Sequence, residues 1–208
     1  LMEAQRYPDD FDGIVSGAPA YSWSGLSASG IQIQQAMFPD GRDLSAAVLS
    51  SAEQALLEGM ILSRCDARDG IEGGILNDPR QCDFSVSELP SCSAGDTDEC
   101  FTDAERAEIS KVYNGPIDSR GRPLFYGYPF GGESDNGGWT AWLSGGAQSS
   151  TRNNGAEVIP NASFGFSTGI MKNMVFHDAD WDFSSYRFDN FEEDVAVMAA
   201  TLNATNPD

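Results

Sequence analysis

Histidine is almost missing from this 208-residue chain, with His177 the only one, and cations are scarce, with 12 Lys and Arg against 32 Asp and Glu. The formal net charge of −20 repels phosphate backbones, so nucleic-acid binding is excluded as a working reading. No apolar run approaches the roughly 20 residues of a membrane-spanning helix. Cysteine is absent before Cys65 and after Cys100, and no close CxxC pair exists to build a zinc ribbon. No Met stands at position 1, and no internal repeat or low-complexity linker interrupts the chain.

What is present suffices for one sizeable core and a small second lobe: 40% of residues are hydrophobic and 11% aromatic. Cys65, Cys82, Cys92 and Cys100 fall in a segment rich in Gly, Pro and Asp. An even number of cysteines in such a segment reads as two disulfides with three possible connectivities, and hence as an oxidising compartment. Asn161-Ala-Ser163 and Asn203-Ala-Thr205 are glycosylation sequons consistent with a secretory route. The stretch CDARDGIEGGILNDP, residues 65–79, gathers Asp66, Asp69, Glu72 and Asp78 around three glycines. Such a stretch either turns sharply in water or offers oxygens to a hard cation.

Leu1–Tyr7 reads as the end of a helix stopped by Pro8, and Phe11–Ser16 as a short buried strand, together half of an α/β unit. The opening reads as an internal piece of something longer. Apolar spacing predicts helices over Tyr21–Phe38, interrupted by Gly25 and Gly30, and over Leu44–Leu62. Thr102-Asp103-Ala104-Glu105 is a capping box opening a helix to about Tyr113. Residues 115–138 read as turns with a hairpin around GRPLFYGYPF, Trp139–Leu143 as a short aromatic helix or turn, and 144–160 as loop. Helix is expected toward the end of residues 161–176, and again from Asn190, as N-cap, to Asn203.

These residues carry a resemblance. LMEAQRYPDDFDGIVSGAPA, CDARDGIEGGILNDPRQC, CFTDAERAEISKVYNGP, GGWTAWLSG and MVFHDADWDFSSYRFD follow the order of the tannase/feruloyl esterase family of α/β-hydrolases. The resemblance covers the whole chain and implies a fold: a partial α/β-hydrolase core with a mostly helical, loop-rich, disulfide-stapled lid domain. Residues 1–20 would belong to the core after the nucleophile elbow, 21–190 to the lid, and 191–208 to a helix returning to the core. It implies a secreted carboxylic ester hydrolase that acylates a serine with aromatic acids such as ferulate or gallate. The partners implied are a small aromatic ester and the rest of the chain's own hydrolase domain, with no nucleic acid and no membrane.

In that family the serine precedes the segment resembling Leu1, and the acid and histidine follow the segment resembling Asn203–Asp208. No catalytic residue is therefore assigned here, and His177 is read as a lid-loop residue. The resemblance implies Cys65–Cys82 and Cys92–Cys100. It also implies a structural calcium loop using the Asp66 and Asp69 carboxylates and the Ile71 and Ile75 carbonyls, with Gly73 standing where the family has a third acidic ligand. The spacing is not that of an EF-hand. Trp139, Trp142, Phe164 and Phe166 are the candidates for a wall against the aromatic part of the ester. The alternative is a stand-alone, calcium-dependent binding or structural module, in which the Leu1–Pro19 unit would be orphaned.

Overall fold

A computed structural model describes residues 1–41, 43–93, 99–145 and 159–204. Most of the loop expected at 144–160 and the final residues 205–208 lie outside the described residues. The described chain is helical: α1 (Met2–Arg6), α2 (Trp23–Met37), α3 (Ser51–Cys65), α4 (Asp103–Asn114), α5 (Ala162–Ile170), α6 (Phe191–Asp194) and α7 (Ala196–Leu202). Among the described residues the only β-type pairings are two isolated bridges, Ser91 with Phe101 and Ile117 with Pro123.

The strand expected over Phe11–Ser16 is not formed. Residues 7–20 run outside the packed body, and Val15, Phe11 and Ile14 are all exposed. A buried strand needs a ladder of partners for its N–H and C=O groups, and no described segment supplies one. The α/β half of the expected fold thus has no strand among the described residues. The second bridge marks a tight turn closed by Asp118 and Gly121, not a hairpin reaching residue 130.

Helix α2 is the axis of the body. Ser22 caps it, its hydroxyl accepting from the Gly25 N–H. Gly25 and Gly30 do not interrupt it, because each lies under a neighbour. A Cβ at Gly30 would meet Ser167 Oγ at 1.8 Å and Ser163 Oγ at 2.9 Å. That position therefore lets α2 and α5 cross closely. On one side of α2, Ile33, Met37 and Phe38 pack with Leu57, Ile61, Phe101, Ile109, Val112 and Leu143. On the other, Ala28 and Ile31 pack with Phe164, Met171, Phe183, Phe188 and Phe191. Each fully buried Leu, Ile or Phe contributes about 1.5–3 kcal/mol.

Helix α3 begins at Ser51, later than the expected Leu44, because Ser50 and Glu53 form a reciprocal capping box. Asp43 holds the residues before it in a turn by accepting from the N–H and hydroxyl of Ser45. The Thr102–Glu105 box opens α4 as expected. The last expected helix is split at Val195 into α6 and α7, and Asn190 precedes α6 without a side-chain capping bond. Cys65–Cys82 and Cys92–Cys100 are both bonded, the pairing that the resemblance implies.

Candidate functional site

The aromatic quartet divides into two inward and two outward rings. Trp139 opens a single π turn, Thr140–Ser144, and its ring is buried against Tyr113, 5.4 Å between centroids. Three residues on, Trp142 faces outward and is 46% exposed. In α5, Phe164 points into the core and meets Phe183 edge-on at 5.1 Å. Phe166, two residues along the same helix, turns to the outer side and is 56% exposed. The two outward rings stack on each other, with centroids 6.3 Å apart and planes inclined by 15°.

A buried polar junction aligns the turn with the helix. Asn161 Nδ2 donates to the Leu143 carbonyl at 2.6 Å and to Gln34 Oε1 at 2.9 Å, while its Oδ1 caps α5 by accepting from the Phe164 N–H. Gln34 Nε2 donates to the same Leu143 carbonyl at 3.2 Å. Gln54 grips the turn from beneath, donating to Ser144 Oγ and accepting from Thr140 Oγ1. In the sequence Asn161 reads only as a sequon, and neither glutamine belongs to a motif. The signal available was a glutamine on each apolar helix face, Gln34 between Ile33 and Met37 and Gln54 before Leu57 and Ile61. A buried amide is normally fully hydrogen-bonded and so fixes geometry.

The acidic loop forms a separate region, clamped by Cys65–Cys82. Asp66 accepts from the Gly74 N–H through both oxygens, at 3.1 and 2.9 Å, and Asp69 Oδ1 accepts from the Ile71 N–H at 2.9 Å. Gly70 takes the left-handed conformation (φ 91°) that closes the turn after Asp69. Asp66, Asp69, Leu76, Asn77 and Asp78 line a small cavity of about 30 Å³ against the disulfide. Asp78 is already engaged, since hydrogen bonds from Arg80 and Gln81 hold its carboxyl down at about 2. Arg68 lines the same cavity and donates to the Gln81 carbonyl and to Asp83, which Arg64 also meets.

The carboxylates of Asp66 and Asp69 are hard oxygen donors of the kind that calcium takes. Among the described residues no group of three or more His, Cys, Asp or Glu converges as a metal cage. Ile71 and Ile75 expose their side chains, and a Cβ at Gly73 would meet Ile71 Cγ2 at an ordinary contact distance of 3.7 Å. His177 sits on an exposed turn in the left-handed region (φ 51°), apart from both sites.

The sequence pattern described as "Tannase and feruloyl esterase" matches residues 1–208. The chain belongs to this family. It is 31% identical, over 100% of its length and 35% of the relative's, to an uncharacterized esterase of Xanthomonas campestris. It is 30% identical, over 74% of its length and 29% of the relative's, to the mono(2-hydroxyethyl) terephthalate hydrolase of Piscinibacter sakaiensis. Its fold superposes on the crystal structure of feruloyl esterase B from Aspergillus oryzae with a TM-score of 0.75. That match has 21% identity and covers 99% of this chain and 38% of that one. The chain therefore spans about a third of the length of these relatives.

Proposed function

We propose that this chain is the lid-bearing part of a secreted carboxylic ester hydrolase that cleaves esters of aromatic acids such as ferulate or gallate. The observation that carries this reading is the outward, mutually stacked pair Trp142 and Phe166, held by a buried junction on a protein of this family. Large exposed aromatic rings with fixed geometry offer a flat apolar surface to a phenolic ring and keep water from its face. Two of the relatives support an aromatic acyl group by their names, a terephthalate monoester hydrolase and a feruloyl esterase. Trp139 and Phe164 act behind that wall, as the packing that fixes the turn and the helix.

In this reading residues 1–20 belong to the hydrolase core, 21–190 form the lid, and 191–208 return to the core. The chemistry is acylation of a serine with release of the alcohol, then hydrolysis of the acyl-enzyme, and none of its three catalytic groups is assigned to this chain. Asp66 and Asp69, with the Ile71, Gly73 and Ile75 carbonyls, would hold a calcium ion, which supplies a cross-link to the loop and takes no part in ester cleavage. The two disulfides and the absence of a described helix long and apolar enough to cross a membrane agree with secretion.

The reading is tested by comparing this 208-residue chain with a longer protein that contains it, using methyl ferulate and methyl gallate. The chain alone is expected to give no turnover. In the longer protein, Trp142→Ala and Phe166→Ala are expected to raise KM several-fold with little change in kcat. Turnover by the chain alone, or an unchanged KM in both variants, would overturn it.

A further inference from the structure

Two stretches nearly 180 residues apart meet at one end of the helical body. The Ser24 N–H donates to Asn203 Oδ1 at 3.1 Å, and Asn203 Nδ2 donates to Ser24 Oγ at 2.6 Å. Beside them the Ala204 N–H donates to the Tyr21 carbonyl at 2.8 Å. Residues 21–24 and 203–204 thus lie side by side at the start of α2 and the end of α7. A second contact reaches the same end from α1, where an Arg6 guanidinium nitrogen lies 2.7 Å from the Thr201 carbonyl and 3.4 Å from that of Ala200. The last carbonyls of a helix lack intrahelical partners and carry the negative end of its dipole, so a guanidinium is well matched to them.

We propose that this neck is a two-part device: Asn203 clasps the two ends of residues 21–204 into one closed body, and Arg6 latches α1 onto it. The clasp needs an amide. Asn203 must accept from a main-chain N–H of the first turn of α2, which has no helical partner, and must donate to a hydroxyl. The latch is the weaker joint, because Arg6 reaches α7 through exposed hydrogen bonds while Phe11, Ile14 and Val15 bury little against the body. Opening the latch would free α1 to swing while the clasped body stays folded. If residues 1–20 belong to a hydrolase core, as proposed above, the latch sets the angle at which the Trp142–Phe166 wall faces that core. The clasp also engages the acceptor nitrogen of the Asn203 sequon, through one of its two N–H groups.

The experiment uses the 208-residue chain with spin labels on Glu3→Cys and Glu193→Cys, in α1 and α6. All four native cysteines are disulfide-bonded, so the labels are selective. The parent is expected to give one narrow label-to-label distance distribution. Arg6→Ala is expected to broaden it severalfold with an unchanged Tm. Asn203→Ala is expected to speed amide exchange at Ser24 and Ala204 by at least tenfold and to lower Tm. Ser24→Ala, which keeps the main-chain half of the clasp, gives a smaller increase and serves if Asn203→Ala does not fold. An unchanged distance distribution in Arg6→Ala overturns the latch. Unchanged exchange in Ser24→Ala and Asn203→Ala overturns the clasp. No ester is used, so either failure is distinct from failure of the esterase reading.

Discussion

On one side of α2 the core is largely aliphatic, is bordered by both disulfides, and holds Glu58, Glu108 and Glu133 out of water. On the other side Phe164, Phe183, Phe188 and Phe191 meet at edges and tilts, and the buried side chains of that cluster are apolar. The aromatic side stands on shape and ring geometry, whose strength changes little with proton activity or redox potential. The stapled side combines covalent closure with carboxylates that resist burial. A single chain therefore presents one half whose core carries desolvated glutamates and whose loops are closed by disulfides beside one whose core carries neither.

The largest test of that contrast is pH. Glu108 is 2% exposed, neither of its carboxylate oxygens has a hydrogen-bond partner, and burial pushes its carboxyl up to about 8. Its folded value lies above its unfolded one, so the folded protein holds a proton that the unfolded chain releases. The resulting stability is complete below about pH 4.5 and is lost as pH rises toward 8. At about 1.4 kcal/mol per unit the loss amounts to roughly 3–5 kcal/mol. Urea unfolding at pH 5 and pH 8 should show this loss in the parent and most of it abolished in Glu108→Gln. Equal slopes for both proteins would erase the proposed difference between the halves.

Reductant should act on the same side. Opening Cys65–Cys82 through the double variant Cys65→Ser/Cys82→Ser frees a loop of sequence separation 17 and is expected to cost about 2–4 kcal/mol. Amide exchange should rise first in α3 and the 66–82 loop, with α5 retaining its protection. A uniform rise across both halves would show that the two cores melt as one unit.

The seam between the halves can be opened by size alone. Gly30→Ala drives a methyl group into Ser167 Oγ and Ser163 Oγ, so α2 and α5 must separate or Ser167 must rotate. Overpacking of this kind costs about 1–3 kcal/mol, offset in part by the roughly 1 kcal/mol that alanine gains over glycine in a helix. The net loss, read as a fall in Tm, should shrink when Ser167→Gly is added.

Much of this arrangement could be read from residue types, and the exceptions have physical causes. Thr102 and Glu105 announced α4 because a capping box is a local device, complete within four residues. The same motif at Ser50–Glu53 was hidden by Leu44, Ala46 and Ala47, apolar residues whose spacing suggests helix although Asp43 holds them as a turn. Phe11–Ser16 has the composition of a strand, but ladder partners are a non-local requirement that composition cannot supply. The aromatic quartet is a grouping by residue type, and type does not tell inward from outward. That distinction came from helix phase, once α5 was seen to start at Ala162 and to put Phe164 and Phe166 on different faces. Asn161 was obscured by its own sequon, a pattern that says nothing of the 3% exposure that keeps its amide inside.

The smallest expected effect concerns the acidic loop and decides whether the stapled half carries a second, ionic staple. Asp66 and Asp69 already hold the loop by accepting from Gly74 and Ile71 N–H groups, so its shape does not depend on a cation. If the loop takes calcium as proposed, with Gly73 where the resemblance implies a carboxylate, its affinity falls near the weak end of calcium modules, at about 10⁻⁴–10⁻³ M. Binding only to the folded state stabilises by RT ln(1 + [L]/Kd), which at ten times Kd is about 1.4 kcal/mol. Raising calcium from zero to 5 mM should therefore lift Tm by a few degrees in the parent and by nothing in Asp69→Ala, with magnesium ineffective in both. Because Asp69 also caps the turn at Ile71, the variant's Tm without calcium sets the baseline from which the increment is read. An equal increment in parent and variant would assign the gain to general screening of the −20 charge. No increment in the parent would leave the loop to Cys65–Cys82 and the hydrogen bonds that Asp66 and Asp69 accept.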